Sequence, residues 1–172
     1  MKLTECNLCE MCKIRECTSF SKGAKEASVL FVFGYEPRTD EGKLKLQDFI
    51  RKLNVYLHRD FHYSFVIKCY SKSKDFKMSY AKKCSVWLKK EIERVDPYLI
   101  VLMGNLAKFT IFGGNVGKHL QDNVFYIHEK KKDGKIKRRQ FFVGNSITAN
   151  KALVNKNVET LTNFIKGFYN GS

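Results

Sequence analysis

The chain has 172 residues, 44% hydrophobic and 28% charged, with only two prolines, and its formal net charge is +15. A chain of this length buries roughly two-thirds of its unfolded surface in one core, and no Gly/Ser-rich linker or repeat of fixed period divides it, so a single domain over residues 1–172 is expected. The charge points to a polyanionic partner, nucleic acid ahead of membrane, because no apolar stretch reaches spanning length and residues 1–6 carry no apolar signal core. A cytoplasmic location without membrane contact follows as the expectation. In that reducing compartment six cysteines read as thiols or metal ligands rather than disulfides.

Cys6, Cys9 and Cys12 step by three residues and Cys17 follows, giving C-x2-C-x2-C-x4-C. The spacing approaches a ferredoxin-type cluster run, although the last interval is one residue long and no proline follows. Metal is favoured over a helical turn of buried cysteines, with the exact ligands open. Residues 28–34, S-V-L-F-V-F-G, form an apolar and β-branched run suited to a strand buried on both faces. Functional residues of open α/β sheets gather beyond the carboxyl ends of strands, which makes Gly34-Tyr35-Glu36-Pro37 the first place to look for chemistry. Glu36, Asp40 and Glu41 are the acidic candidates there.

Residues 42–54 place Leu46, Phe49, Ile50 and Leu53 at helical core spacing. Residues 58–62 hold His58 and His62 four apart, a pattern read as a polar surface connector rather than a zinc site. The apolar run 63–68 then predicts a buried strand ending at Cys69, and a basic loop leads to a helix with Ala81, Cys84, Leu88, Ile92 and Val95 on one face. Cys69 and Cys84 therefore close two different elements. Together with Cys6 and Cys9 they form a candidate four-thiolate site joining the N-terminus to the middle of the chain.

A third buried strand spans 96–104 and a short helix 105–112. Strand and helix alternate, the signature of a parallel sheet with helices on both faces and right-handed crossovers. Runs 124–127 and 140–143 flank Asp133-Gly134, a strong hairpin signal. Around that turn Lys130, Lys131, Lys132, Lys135, Lys137, Arg138 and Arg139 are numerous enough for salt-dependent phosphate contacts; the plainer alternative is a solvated hairpin edge. Val154, Val158, Leu161, Ile165 and Phe168 give the last helix one apolar face for docking on the sheet.

Taken together, these motifs resemble the iron–sulfur branch of the uracil-DNA glycosylase superfamily, over nearly the whole chain. That family opens with C-x-x-C-x-L-C-x-x-R or a close variant, against residues 6–15, C-N-L-C-E-M-C-K-I-R. Its G-E-A-P-G, with an acidic residue three positions on, corresponds to Gly34-Tyr35-Glu36-Pro37-Arg38 and Glu41. Its N-V-V-K-C looks like Phe65-Val66-Ile67-Lys68-Cys69, with the next cysteine about sixteen residues later against fifteen here, and its P-x-x-I-V-x-L-G-x-x-A is matched by residues 97–107.

The resemblance implies a three-layer α/β/α sandwich with a central, mostly parallel sheet, onto which the cysteine segment 6–17 packs. It implies a structural [4Fe–4S] cluster on Cys6, Cys9, Cys69 and Cys84, with Cys12 an alternative to one of the first pair. The expected partner is DNA, single- or double-stranded, together with a replication or repair protein; the chain itself is expected to be a monomer. Chemistry in that superfamily flips a base into a pocket, where an acidic residue assists water, an asparagine reads the base, an aromatic ring stacks on it and a histidine stabilises the departing base.

In this chain the pocket departs from the pattern. By analogy Gly34, Tyr35 and Phe65 border it, but Phe65 stands where the asparagine is expected, and a phenyl ring neither donates to nor accepts from a base edge. The segment after Glu41 is about eight residues shorter than the family's G-R-P-F-V-G-R-A-G stretch, and T-x-H-P-S is replaced around Asn145, Ser146 and Ile147 with no histidine. Glu36 is the candidate general base, matching the aspartate of the classical G-Q-D-P-Y motif, and Asn145 or Ser146 the candidate substitute donor. Two readings follow: a glycosylase with altered base preference, or a catalytically degenerate iron–sulfur module that binds DNA.

Overall fold

The computed structural model describes residues 3–19, 21–71, 76–113, 120–130, 134 and 136–170. Strands β1 (Cys17–Thr18), β2 (Lys22–Gly23), β3 (Val29–Phe33), β4 (Phe61–Phe65), β5 (Cys69–Tyr70), β6 (Leu99–Met103), β7 (Val124–Lys130) and β8 (Ile136–Gly144) are interspersed with helices. The helices are α1 (Met11–Ile14), α2 (Asp40–Leu57), α3 (Met78–Val95), α4 (Asn105–Phe112) and α5 (Lys151–Asn170). The fold is mixed α/β: a six-stranded sheet runs β2-β4-β3-β6-β8-β7, with β4, β3, β6 and β8 parallel and the edge strands β2 and β7 antiparallel.

All five residues of β3 and all five of β6 are buried, as central strands covered on both faces require. Their side chains alternate between two clusters. Leu30, Val32, Ile100 and Leu102 join Ala81 and Leu88 of α3 and Ala107 of α4; Phe31, Phe33, Val101 and Met103 join Leu46, Phe49 and Leu53 of α2 and Leu161 and Ile165 of α5. Thr39 starts α2 by accepting a 3.1 Å hydrogen bond from the Gly42 amide, and His58 stops it in the left-handed region at φ 46°. Among the described residues no helix is long and apolar enough to cross a membrane.

Two expectations need correction. The strand read over 63–68 begins at Phe61 and ends at Phe65. Val66 and Ile67 then turn along β3, donating to the carbonyls of Phe33 and Gly34 at 2.8 and 3.0 Å, so Cys69 opens a separate two-stranded sheet with β1. His62 is no surface residue: it lies within β4, 4% exposed, and its Nδ1–H donates to the Ala24 carbonyl at 2.9 Å. The cause is the polar face of β4, where His62 and Ser64 point under α3 instead of into solvent.

Candidate functional site

Four of the six cysteines are buried: Cys6 is 5% exposed, Cys9 8%, Cys69 3% and Cys84 3%, whereas Cys12 is half-buried and Cys17 exposed. The chain brings the four from separate elements. Cys6 follows a 3-10 turn over Leu3–Glu5, Cys9 starts the turn into α1, Cys69 opens β5 and Cys84 sits in the second turn of α3. Pairing of β1 with β5 sets Cys17 opposite Tyr70 and Thr18 opposite Cys69, and is extended by the Ser19 amide to the Lys68 carbonyl at 2.7 Å. Met11, fully buried, anchors the segment in the core.

Polar contacts complete this clamp. The Arg15 guanidinium donates to the Cys6 carbonyl at 3.1 Å and to the Thr4 carbonyl, and lies 3.9 Å from Cys69 Sγ. Trp87 Nε1–H donates to Cys6 Sγ at 3.3 Å, and the Tyr80 hydroxyl donates to Glu10 at 3.1 Å. Burial pushes the Cys84 thiol up to about 11; a backbone hydrogen bond from Lys68 opposes the shift, and Cys9, Cys69 and Cys6 add to it. Cys69 is raised for the same first reason, partly offset by Arg15. Left to themselves the Cys69 and Cys84 thiols stay protonated, and a cationic centre beside them would draw the protons off.

The donor set fits the group that the resemblance implies: four cysteine sulfurs, as a [4Fe–4S] cluster requires, with indole and guanidinium donors beside them. Among the described residues no group of three or more His, Cys, Asp or Glu is drawn together as a single metal ion needs. Behind the clamp, Lys68 is 1% exposed, and its Nζ reaches Ser64 Oγ and Glu91 Oε2, each at 2.5 Å. Burial pulls the ammonium down from its ordinary range and Glu91 opposes it; burial would raise Glu91, but Lys68 and Ser64 hold it low. The pair joins the 66–68 turn to α3.

A second feature opens where the strand order reverses, between β3 and β6, the place at which open α/β sheets bind ligands. Phe33, Met103 and Gly144 lie level across three strands, and the Gly104 amide donates to the Gly144 carbonyl at 3.0 Å. A Cβ on Gly144 would come within 2.8 Å of Met103 Sδ and 2.9 Å of Phe142, so a larger residue there would require those side chains to shift. Beyond these ends lies a crevice of about 160 Å³ lined by Gly34, Tyr35, Pro37, Asn105, Ser146 and Thr148 over a floor of Phe33, Met103, Leu106 and Ile147. The Ser146 and Thr148 hydroxyls are 2.8 Å apart. Gly104 begins α4 at φ 87° without a side-chain cap, leaving the first amides of that helix at the crevice.

Of the residues assigned from sequence, Gly34, Tyr35 and Ser146 line this crevice together. Glu36 and Phe65 do not: both line a neighbouring cavity of about 410 Å³ between α2 and β4, with Lys22, Lys43, Arg51 and Tyr63. There Phe65 is 3% exposed and packs on Phe33 and Tyr63, and Glu36 adds to the rise that burial gives the Tyr63 hydroxyl. Asn145 is also occupied elsewhere. Its amide nitrogen donates to Asp122 at 3.3 Å and its backbone N–H to Asn157 at 2.8 Å. Asp40 and Glu41 are exposed and paired with Lys43 and Lys45.

Among the described residues that line the crevice there is no carboxylate. Asn105 and Thr148 were missed from sequence. A residue that opens a helix straight after a strand-end glycine was the available signal for Asn105; nothing in the pattern marked Thr148.

The basic hairpin divides as well. Arg139 is 4% exposed and spent on structure, donating to the Pro97 carbonyl at 2.7 Å, Asp96 at 3.2 Å and Glu129 at 3.1 Å, which corrects its reading as a DNA contact. Lys137 pairs with Asp96, and Arg138 lies 3.5 Å over the Tyr126 ring. Lys131, Lys132 and Lys135 fall outside the described residues; Lys130 ends β7. A further row of exposed cations was not anticipated: Lys77 stands at the start of α3, and Lys82, Lys83, Lys89 and Lys90 lie along its outside, Lys82 and Lys83 directly before Cys84.

No protein-family model matches the chain, and no curated protein is significantly similar to it.

Proposed function

We propose that the protein is an iron–sulfur nucleic-acid-binding module with a uracil-DNA glycosylase-like three-layer α/β/α architecture, which takes an unpaired base into the switch-point crevice without cutting its glycosidic bond. The observation that carries this reading is the crevice itself. Its size suits one six-membered ring, since a cavity of roughly 150 Å³ accommodates benzene. Hydroxyls of Ser146 and Thr148 and the uncapped amides of α4 offer polar contacts to a base edge, and no carboxylate among the described residues stands ready to activate water.

Four buried thiolates from Cys6, Cys9, Cys69 and Cys84 would hold the [4Fe–4S] group, which would supply a coordinate crosslink between the N-terminal segment and α3. Lys77, Lys82 and Lys83, with the hairpin lysines, supply phosphate contacts on a chain of net charge +15. Cytoplasmic residence suits its six free thiols.

One observation keeps an active glycosylase in view. Pro37 lines both cavities, so Glu36 lies a single residue from the crevice wall. Anaerobically purified protein, titrated by fluorescence anisotropy with a labelled oligonucleotide across a salt series, tests the binding reading. Affinity should fall steeply and log-linearly with salt, and a Lys77→Ala/Lys82→Ala/Lys83→Ala variant should show a shallower slope. Absence of binding at low salt would remove the proposal.

A further inference from the structure

Beside the crevice mouth an exposed tyrosine is stacked on two partly buried side chains. Tyr35, 41% exposed, lies on Phe76 with ring centroids 4.5 Å apart and planes 34° apart, and the Arg38 guanidinium sits 5.0 Å from the Phe76 centroid and 5.9 Å from that of Tyr35. Large aromatic rings usually turn such faces inward. The immediate role of the group is to tie the 34–38 turn to the residue that leads into α3. That role needs the ring pair but not a phenol left open to solvent at the edge of a binding crevice.

Resting on the nucleic-acid reading, we infer that the Tyr35–Phe76–Arg38 group is a stacking platform for the base next to the one held in the crevice, which makes single-stranded nucleic acid the preferred ligand. Three observations converge. Tyr35 also lines the crevice, so a base bound there has its strand neighbour over or beside this ring. In a duplex the neighbouring base is already stacked on both sides, whereas in a single strand its faces are open to an aromatic ring. Arg38 adds a cation over the Phe76 ring, and the exposed Lys77, Lys82 and Lys83 continue the positive charge from Phe76 into α3. An aromatic surface beside a basic track is how sequence-tolerant single-strand binding is built.

The test uses the full chain, purified with its native iron content, and an oligonucleotide carrying 2-aminopurine, whose fluorescence is quenched by stacking. Wild-type protein should bind the single strand more tightly than the matching duplex and change the probe's quenching on binding. Tyr35→Leu keeps apolar bulk against Phe76 but removes the π-face; it should weaken single-strand binding by roughly five- to a hundredfold, the range for one stacked base. It should leave the salt slope unchanged and weaken duplex binding less than single-strand binding, and Tyr35→Phe should bind as wild type does. A parallel melting curve checks that Tyr35→Leu is folded, and Phe76→Leu serves if it is not. Equal wild-type affinity for strand and duplex, or full single-strand affinity in the leucine variants, would overturn the platform while leaving nucleic-acid binding standing. Binding to neither ligand would overturn both.

Discussion

Two regions lie beyond the carboxyl ends of the same sheet, and their states differ. At the cysteine clamp every part has its counterpart: four buried sulfurs, a strand pair that fastens the N-terminal segment, and Arg15 and Trp87 aimed at sulfur. At the crevice the scaffold is equally well formed, with a ring-sized space, but Glu36, the acid that the resemblance would place there, lines another cavity. Backbone shape and reactive groups are separable properties of one fold.

The largest effect expected at the clamp is that of Cys84→Ser or Cys69→Ser. On the proposed [4Fe–4S] ligation, either should remove most of the iron and acid-labile sulfide measured per chain and make residues 3–19 the first site of limited proteolysis, because the proposed crosslink to α3 would be lost. Iron content unchanged in both variants would detach those cysteines from the cluster. Next comes Glu91→Gln, which leaves the buried Lys68 ammonium without its counter-charge and should cost about 3–5 kcal/mol in chemical denaturation. A loss under 1 kcal/mol would mean that Lys68 is neutral in the fold.

On the crevice side Ser146→Ala should weaken oligonucleotide binding roughly two- to tenfold, as one hydrogen bond of ~0.5–1.5 kcal/mol implies, with stability unchanged. An identical change in Asn145→Ala would contradict the assignment of Asn145 to the Asp122 contact. The smallest effect concerns pH. Burial depresses the His62 pKa, with the Ala24 carbonyl opposing, and its Nε2 is buried without a hydrogen-bond partner among the described residues. Folding therefore favours neutral His62: this contribution is complete above the unfolded value of about 6.5 and is lost as pH falls through the lower folded value. His62→Asn keeps the donor to Ala24 and should flatten that part of the melting-temperature profile.

Much of this was legible in the sequence. Continuous apolar runs gave β3 and β6, and helical spacing gave α2, α3 and α5, because burial on two faces or one leaves a pattern in the residues. The pair β1 and β5 left none, since two-residue strands have no period to read. His62 was misread because a polar alternation looks the same whether its face meets water or a buried Lys68–Glu91 pair. Arg139 carried the same ambiguity: charge marks it as a surface residue, but β8 turns it under toward Asp96, at the left-handed end of α3. The four cysteines could be grouped by their spacing, whereas the direction of Glu36 could not be read. After a strand-end glycine the chain is free to send the next side chains either way, and here Tyr35 lines the crevice while Glu36 goes to the α2 side.

The measurement closest to the central claim is single-turnover base release. Protein in excess is incubated with uracil-containing single- and double-stranded oligonucleotides at concentrations that saturate binding, and alkali then reveals abasic sites. The account predicts saturated binding with no strand breaks above background. Breaks that appear with the wild-type protein and vanish in Glu36→Gln would contradict it and return Glu36 to the reaction.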